Sequence, residues 1–143
     1  MQEAIRSREC PVPKVLMALG DEAATADTMM MLIEHGFGVA IAHTGEQCLD
    51  MLVHGKFGVL ILDLVLPGLS GIEVLAEAHR RRLAAHIILV SRYIGLLDTR
   101  RYKQMGADDV LSKPPDPRAV LEICQRTCGG LAVSPGGISD AIR

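Results

Sequence analysis

The segment Gly58-Val59-Leu60-Ile61-Leu62-Asp63 constrains this chain more than any other. Its consecutive branched aliphatics leave no polar side, so a half-solvated strand is excluded. A run this short suits a strand covered on both faces. Covering both faces requires helices above and below one sheet, which is the layered α/β arrangement. The carboxylate of Asp63 at the end of the run is costly to bury unless it is paired or metal-bound. Its simplest role is to cap the loop that follows.

The rest of the chain follows this lead. Lys14 opens the apolar run Val15–Leu19, closed by Gly20 and read as a buried strand. Residues 22 to 35 hold no Gly or Pro, follow Asp21 as N-cap, and stop at His35-Gly36. Val39–Ala42 is a second strand, and Thr44-Gly45-Glu46-Gln47 has capping-box spacing for a helix through about Val53. Ser70-Gly71-Ile72-Glu73 is another such box, with a helix to about Arg82. Ile87–Ser91 and Asp109–Ser112 are further strands, and residues 96 to 105 a weaker helix. Asp116-Pro117 supplies an N-cap and an N1 proline for a last helix to about Thr127. Five strands alternating with five helices through short connections predict a doubly wound parallel sheet.

At 143 residues the chain is sized for one domain. The organisation read here is an N-terminal tail over 1–13, a domain over 14–128, and a flexible tail or linker stub over 129–143. With 15 Lys+Arg against 17 Asp+Glu, the net charge of −2 argues against a dedicated nucleic-acid binder. No apolar stretch is long enough to span a membrane, and the polar start lacks the apolar segment of an export signal. A cytoplasmic protein is expected, with Cys10, Cys48, Cys124 and Cys128 as reduced thiols. Neither these cysteines nor the five histidines show a metal-site spacing. The basic run Arg80-Arg81-Arg82 is read as complementing a helix C-terminus, and Met29-Met30-Met31 as divided between core and surface.

In open α/β sheets, sites lie beyond the carboxyl ends of the strands. Those ends here carry Asp21 and Glu22 after strand one, Asp63 after strand three, Ser91-Arg92 after strand four, and Lys113-Pro114 after strand five. A carboxylate, a hydroxyl and an ammonium at three successive strand ends form a set suited to a phosphoryl group.

These residues resemble the receiver domains of bacterial two-component response regulators. The carriers are Asp63-Leu64-Val65-Leu66-Pro67-Gly68-Leu69-Ser70-Gly71, Gly106-Ala107-Asp108-Asp109 and Lys113-Pro114, supported by Gly36-Phe37 and Thr44-Gly45-Glu46. The resemblance covers about residues 14 to 127. It implies a flavodoxin-like (CheY-like) fold with strand order 2-1-3-4-5. It also implies that Asp63 accepts a phosphoryl group from a phosphohistidine on a sensor histidine kinase or phosphotransfer protein. Ser91 and Lys113 would contact that group, and Asp63 with the Val65 carbonyl would bind Mg²⁺. The face made by helix four, strand five and helix five would meet an output domain or a second copy. The resemblance implies no turnover enzyme, at most slow self-phosphorylation and autodephosphorylation.

Three features depart from the family. Its acidic pair at the end of strand one is replaced by Leu19 and Gly20. Asp21 and Glu22 lie one residue late, where they either turn inward to the metal or simply cap helix one and favour its dipole. Arg92 stands where a small residue usually keeps the site open, and it either screens the site or adds positive charge. Val110 replaces a frequent aromatic switch residue. The alternative function is therefore a pseudo-receiver, a protein-interaction module independent of phosphorylation. An aspartate-nucleophile phosphatase ranks lower, because Val65 occupies the place of its second carboxylate.

Overall fold

The computed structural model describes residues 13–92 and 94–128. Residues 1–12 of the tail expected over 1–13, Cys10 among them, the tail expected over 129–143, and Tyr93 lie outside the described residues. The elements run β1 Lys14–Ala18, α1 Glu22–Glu34, β2 Gly38–Ile41, α2 Gly45–His54, β3 Phe57–Asp63, α3 Gly71–Arg80, β4 Ala84–Ser91, α4 Leu96–Gln104, β5 Asp109–Ser112 and α5 Pro117–Thr127. The strands form one parallel sheet in the order β2-β1-β3-β4-β5. This is the order the resemblance implies.

The apolar runs sort by parity, because successive strand side chains point to opposite faces. Leu16, Ala18, Leu60 and Leu62 join one core with Leu52, Val74, Leu75, Ala78 and Tyr102 from α2, α3 and α4. Val15, Met17, Val59 and Ile61 join the other with Leu32, Val120, Ile123 and Cys124 from α1 and α5. The central run is thus covered on both faces.

Helix starts follow the polar caps. Asp21 Oδ1 accepts from the Ala23 and Ala24 N–H groups. Ser70 and Glu73 make the reciprocal capping box. The box expected at Thr44 is only half formed. Thr44 accepts from the Gln47 N–H, but Gln47 Oε1 reaches one residue further back, to the His43 N–H at 2.7 Å.

Two boundaries differ from the sequence expectation by more than one residue. Helix α3 ends at Arg80 rather than Arg82, and β4 starts at Ala84 rather than Ile87. The cause is a tight reversal: Arg82 takes φ 55° and the Leu83 N–H donates to Ala78 O at 2.9 Å. That is a helix stop usually assigned to glycine, and no glycine marks it in the sequence. Arg80 and Arg81 both pair with Glu77 on their own helix.

Candidate functional site

The site is assembled where β1, β3, β4 and β5 end. Asp63 closes β3 directly after the buried aliphatics and is itself 1% exposed. Its Oδ1 accepts the Val65 N–H at 3.0 Å, so it does cap its own loop. Its Oδ2 accepts the Gly20 N–H at 3.1 Å and lies 2.6 Å from Lys113 Nζ. The charge of the buried carboxylate is thus matched by one ammonium, and both oxygens are hydrogen-bonded. A carboxylate offers about four lone-pair sites, so three donors leave it capacity to react.

Lys113 is held by its backbone. Its N–H donates to Ser91 O at 3.0 Å, and the Lys113–Pro114 peptide is cis. Ser91 is buried at the end of β4, one residue beyond Val90, the register partner of Asp63. The structure therefore brings Asp63, Ser91 and Lys113 together.

The loop from Leu64 to Ser70 is clamped at close range. The Leu64 N–H donates to Val90 O, and the Gly45 N–H to Pro67 O. A side chain at Gly45 would collide with the Leu69 carbonyl, and one at Gly71 with the Asp63 carbonyl. Only glycine permits these approaches, which holds α3 against the end of β3.

An open cleft of about 960 Å³ is bordered by the three residues that bond Asp63, namely Gly20, Val65 and Lys113, together with Asp21, Glu22 and Arg92. Asp21 and Glu22 line its mouth but are exposed, and the Asp21 carboxylate is taken up by the helix N–H groups. Of the two roles open to Asp21, the structure shows the cap.

A divalent ion such as Mg²⁺ would need a set of oxygen ligands here. A Cβ added to Gly20 would lie 3.4 Å from Asp63 Oδ2 and 3.7 Å from Val65 O. A carboxylate grown from this position would therefore complete a metal corner with Asp63 and the Val65 carbonyl. Glycine leaves that corner without its charge. Among the described residues, no cluster of three His, Cys, Asp or Glu side chains is placed to hold a metal. Mg²⁺ is held by one or two carboxylates with several waters, and what this corner offers is the Asp63 carboxylate, already bonded by Gly20, Val65 and Lys113, and the Val65 carbonyl: a poor fit for the ion.

Sequence reasoning found the loop cap, which the Val65 N–H supplies as the ordinary Asx-type partner two residues after an aspartate, but missed the Gly20 donor. Gly20 is brought in only by the β1–β3 pairing.

A parallel sheet wound on both sides, with an acidic residue and a lysine meeting at its carboxyl edge, defines a class of flavodoxin-like signalling domains. A family profile described as the response regulator receiver domain matches residues 16–125. The chain belongs to this family.

It is 33% identical over 108 residues to the transcriptional regulatory protein CpxR of Escherichia coli, covering 76% of this chain and 46% of that protein. It is 32% identical over 101 residues to the cell cycle response regulator CtrA of Brucella ovis, covering 71% and 44%. The chain thus spans less than half the length of these curated relatives. A CheY-like receiver domain from Methanospirillum hungatei superposes with TM-score 0.74 at 29% identity, covering 82% of this chain and 94% of that one. Among the described residues no helix is long and apolar enough to cross a membrane.

Proposed function

We propose that Asp63 accepts a phosphoryl group from a phosphohistidine on a sensor kinase or phosphotransfer protein, and that the chain passes the signal on through protein contacts. The observation that supports this is the contact of Asp63 with Lys113 at 2.6 Å behind an open cleft, with Ser91 at the adjoining strand end. A carboxylate is a weak nucleophile and the incoming group is negatively charged. Positioning and opposite charge must therefore do the work. One Asp63 oxygen bonds to phosphorus, and the phosphorus–nitrogen bond breaks. The imidazole leaves with the electron pair and takes up a proton. The Lys113 ammonium offsets the charge on the phosphoryl oxygens, and the Ser91 hydroxyl is a donor of the right kind for one of them.

The chain is then a carrier of the phosphoryl group rather than a turnover enzyme, and it works in the cytoplasm. Its output passes through the face of α4, β5 and α5, to an output domain or a second copy.

One observation favours a second reading. Leu19 and Gly20 stand where the family carries acids, which suits a pseudo-receiver that docks without phosphorylation. Intact-mass spectrometry after incubation with acetyl phosphate separates the two. One added phosphoryl group in the wild type and none in Asp63→Asn is the expected result. No gain in a sample shown by circular dichroism to be folded would establish the pseudo-receiver instead.

A further inference from the structure

We propose that Arg92 and Lys113, in place of a divalent cation, supply the positive charge that holds the phosphoryl group on Asp63, so that loading of this receiver is independent of Mg²⁺. The inference rests on Asp63 being the phosphoryl acceptor. Gly20 leaves the corner beside Asp63 without a side chain. A side chain there would project between Asp63 Oδ2 and the Val65 carbonyl, and glycine leaves no carboxylate to hold a cation. Asp21 does not move in to replace it, since its Oδ1 accepts the Ala23 N–H at 2.9 Å and the Ala24 N–H at 3.3 Å.

The sequence adds a cation on the other side of the cleft. Arg92 follows Ser91 at the end of β4 and borders the same cleft as Lys113 and Val65. Because β4 lies between β3 and β5, Asp63, Arg92 and Lys113 issue from three neighbouring strands.

The charges balance in the loaded state. Before transfer, Lys113 is the cation paired with the Asp63 carboxylate among the described residues. An aspartyl phosphate carries up to two negative charges, which Lys113 and Arg92 together match. Guanidinium is suited to the added role. It stays charged, and its planar fork can meet two phosphoryl oxygens at once. Asp21 and Glu22, at the exposed mouth, are screened by water and salt, so they compete weakly for it.

The test uses acetyl phosphate with the full chain, in chelator and in Mg²⁺, read by intact mass. An Asp63 oxygen bonds to phosphorus, the bond from phosphorus to the bridging oxygen breaks, and acetate leaves with the electron pair. No proton or further reactant is needed. The wild type should gain one phosphoryl group at the same rate in both buffers, and Mg²⁺ should not raise its unfolding temperature. Arg92→Ala should slow the gain by about tenfold or more, the size of one charged hydrogen bond, with an unchanged unfolding temperature. Arg92→Lys should recover part of the rate.

A gain confined to the Mg²⁺ buffer, a rise in unfolding temperature with Mg²⁺, or full activity of Arg92→Ala would overturn this inference and leave Asp63 as the acceptor. No gain in either buffer would overturn the acceptor reading, and this inference with it.

Discussion

Replacing Lys113 with methionine isolates the one ion pair that makes burial of Asp63 tolerable. Methionine keeps most of the side-chain volume and removes the charge. Asp63 is 1% exposed and Lys113 16%, with Nζ 2.6 Å from Oδ2. Breaking a fully buried pair by removing one partner costs about 3–5 kcal/mol. Here the Gly20 and Val65 N–H groups still serve the carboxylate, and water from the cleft can enter the vacated space. We therefore expect a loss of about 2–3 kcal/mol, which for a domain of this size lowers the unfolding temperature by about 8–12 °C. Asp63→Asn should cost less, about 1 kcal/mol: its amide turns a donor towards existing donors, but the charge it leaves unpaired, on Lys113, is 16% exposed and can turn into the cleft, whereas the Asp63 charge cannot. The double variant should lose less than the sum, since the two residues are in contact. Urea titration followed by circular dichroism measures all four chains. The losses should survive high salt, because a buried pair is little screened. A Lys113→Met variant within about 0.5 kcal/mol of the wild type would refute a stabilising pair. A stabilising Asp63→Asn would refute it equally, and would mean that Asp21 and Glu22 load the site with excess negative charge.

Gly20→Asp should fold, since its Cβ meets only ordinary contacts at 3.4 and 3.7 Å. It sets a second carboxylate beside Asp63, so thermal unfolding should be lower in chelator and should rise with Mg²⁺ in this variant alone. Thr28 Oγ1 is buried on α1 without a hydrogen-bond partner. Thr28→Val should therefore stabilise the domain by about 1 kcal/mol in urea titrations. Burial pushes the Cys48 thiol from 9.0 up to about 12. Between those values the unfolded chain gives up a proton that the folded chain keeps. This contribution to stability is complete below pH 9 and falls by about 1.4 kcal/mol per pH unit above it. Cys48→Ala should accordingly flatten the dependence of the urea midpoint on pH above 9.

The alternation of strands and helices was legible because its signals are short-range. Parity placed Leu60 and Leu62 on one face and Val59 and Ile61 on the other, and Ser70 with Glu73 announced a helix start. The same signals misplaced the end of α3, since Arg82 adopts a conformation that its side chain does not advertise. They also overstated the cap at Thr44, where Gln47 had a second backbone N–H within reach.

What the sequence determined by itself was the layering of the fold and the chemical groups at the strand ends. Asp63 and Ser91 each end a strand and Lys113 directly follows one, and parallel strands place their carboxyl ends on one edge. Only the tertiary structure decided how those groups meet. The Gly20 N–H reaches Asp63 across 43 residues of chain, Lys113 reaches it with a salt bridge from two strands away, and Arg92 comes to border the same cleft. Strand register and loop closure fix such contacts, and no spacing along the chain encodes them. The same holds for the empty corner at Gly20. The sequence shows a glycine, and only the packed sheet shows that a carboxylate there would have faced Asp63 and the Val65 carbonyl.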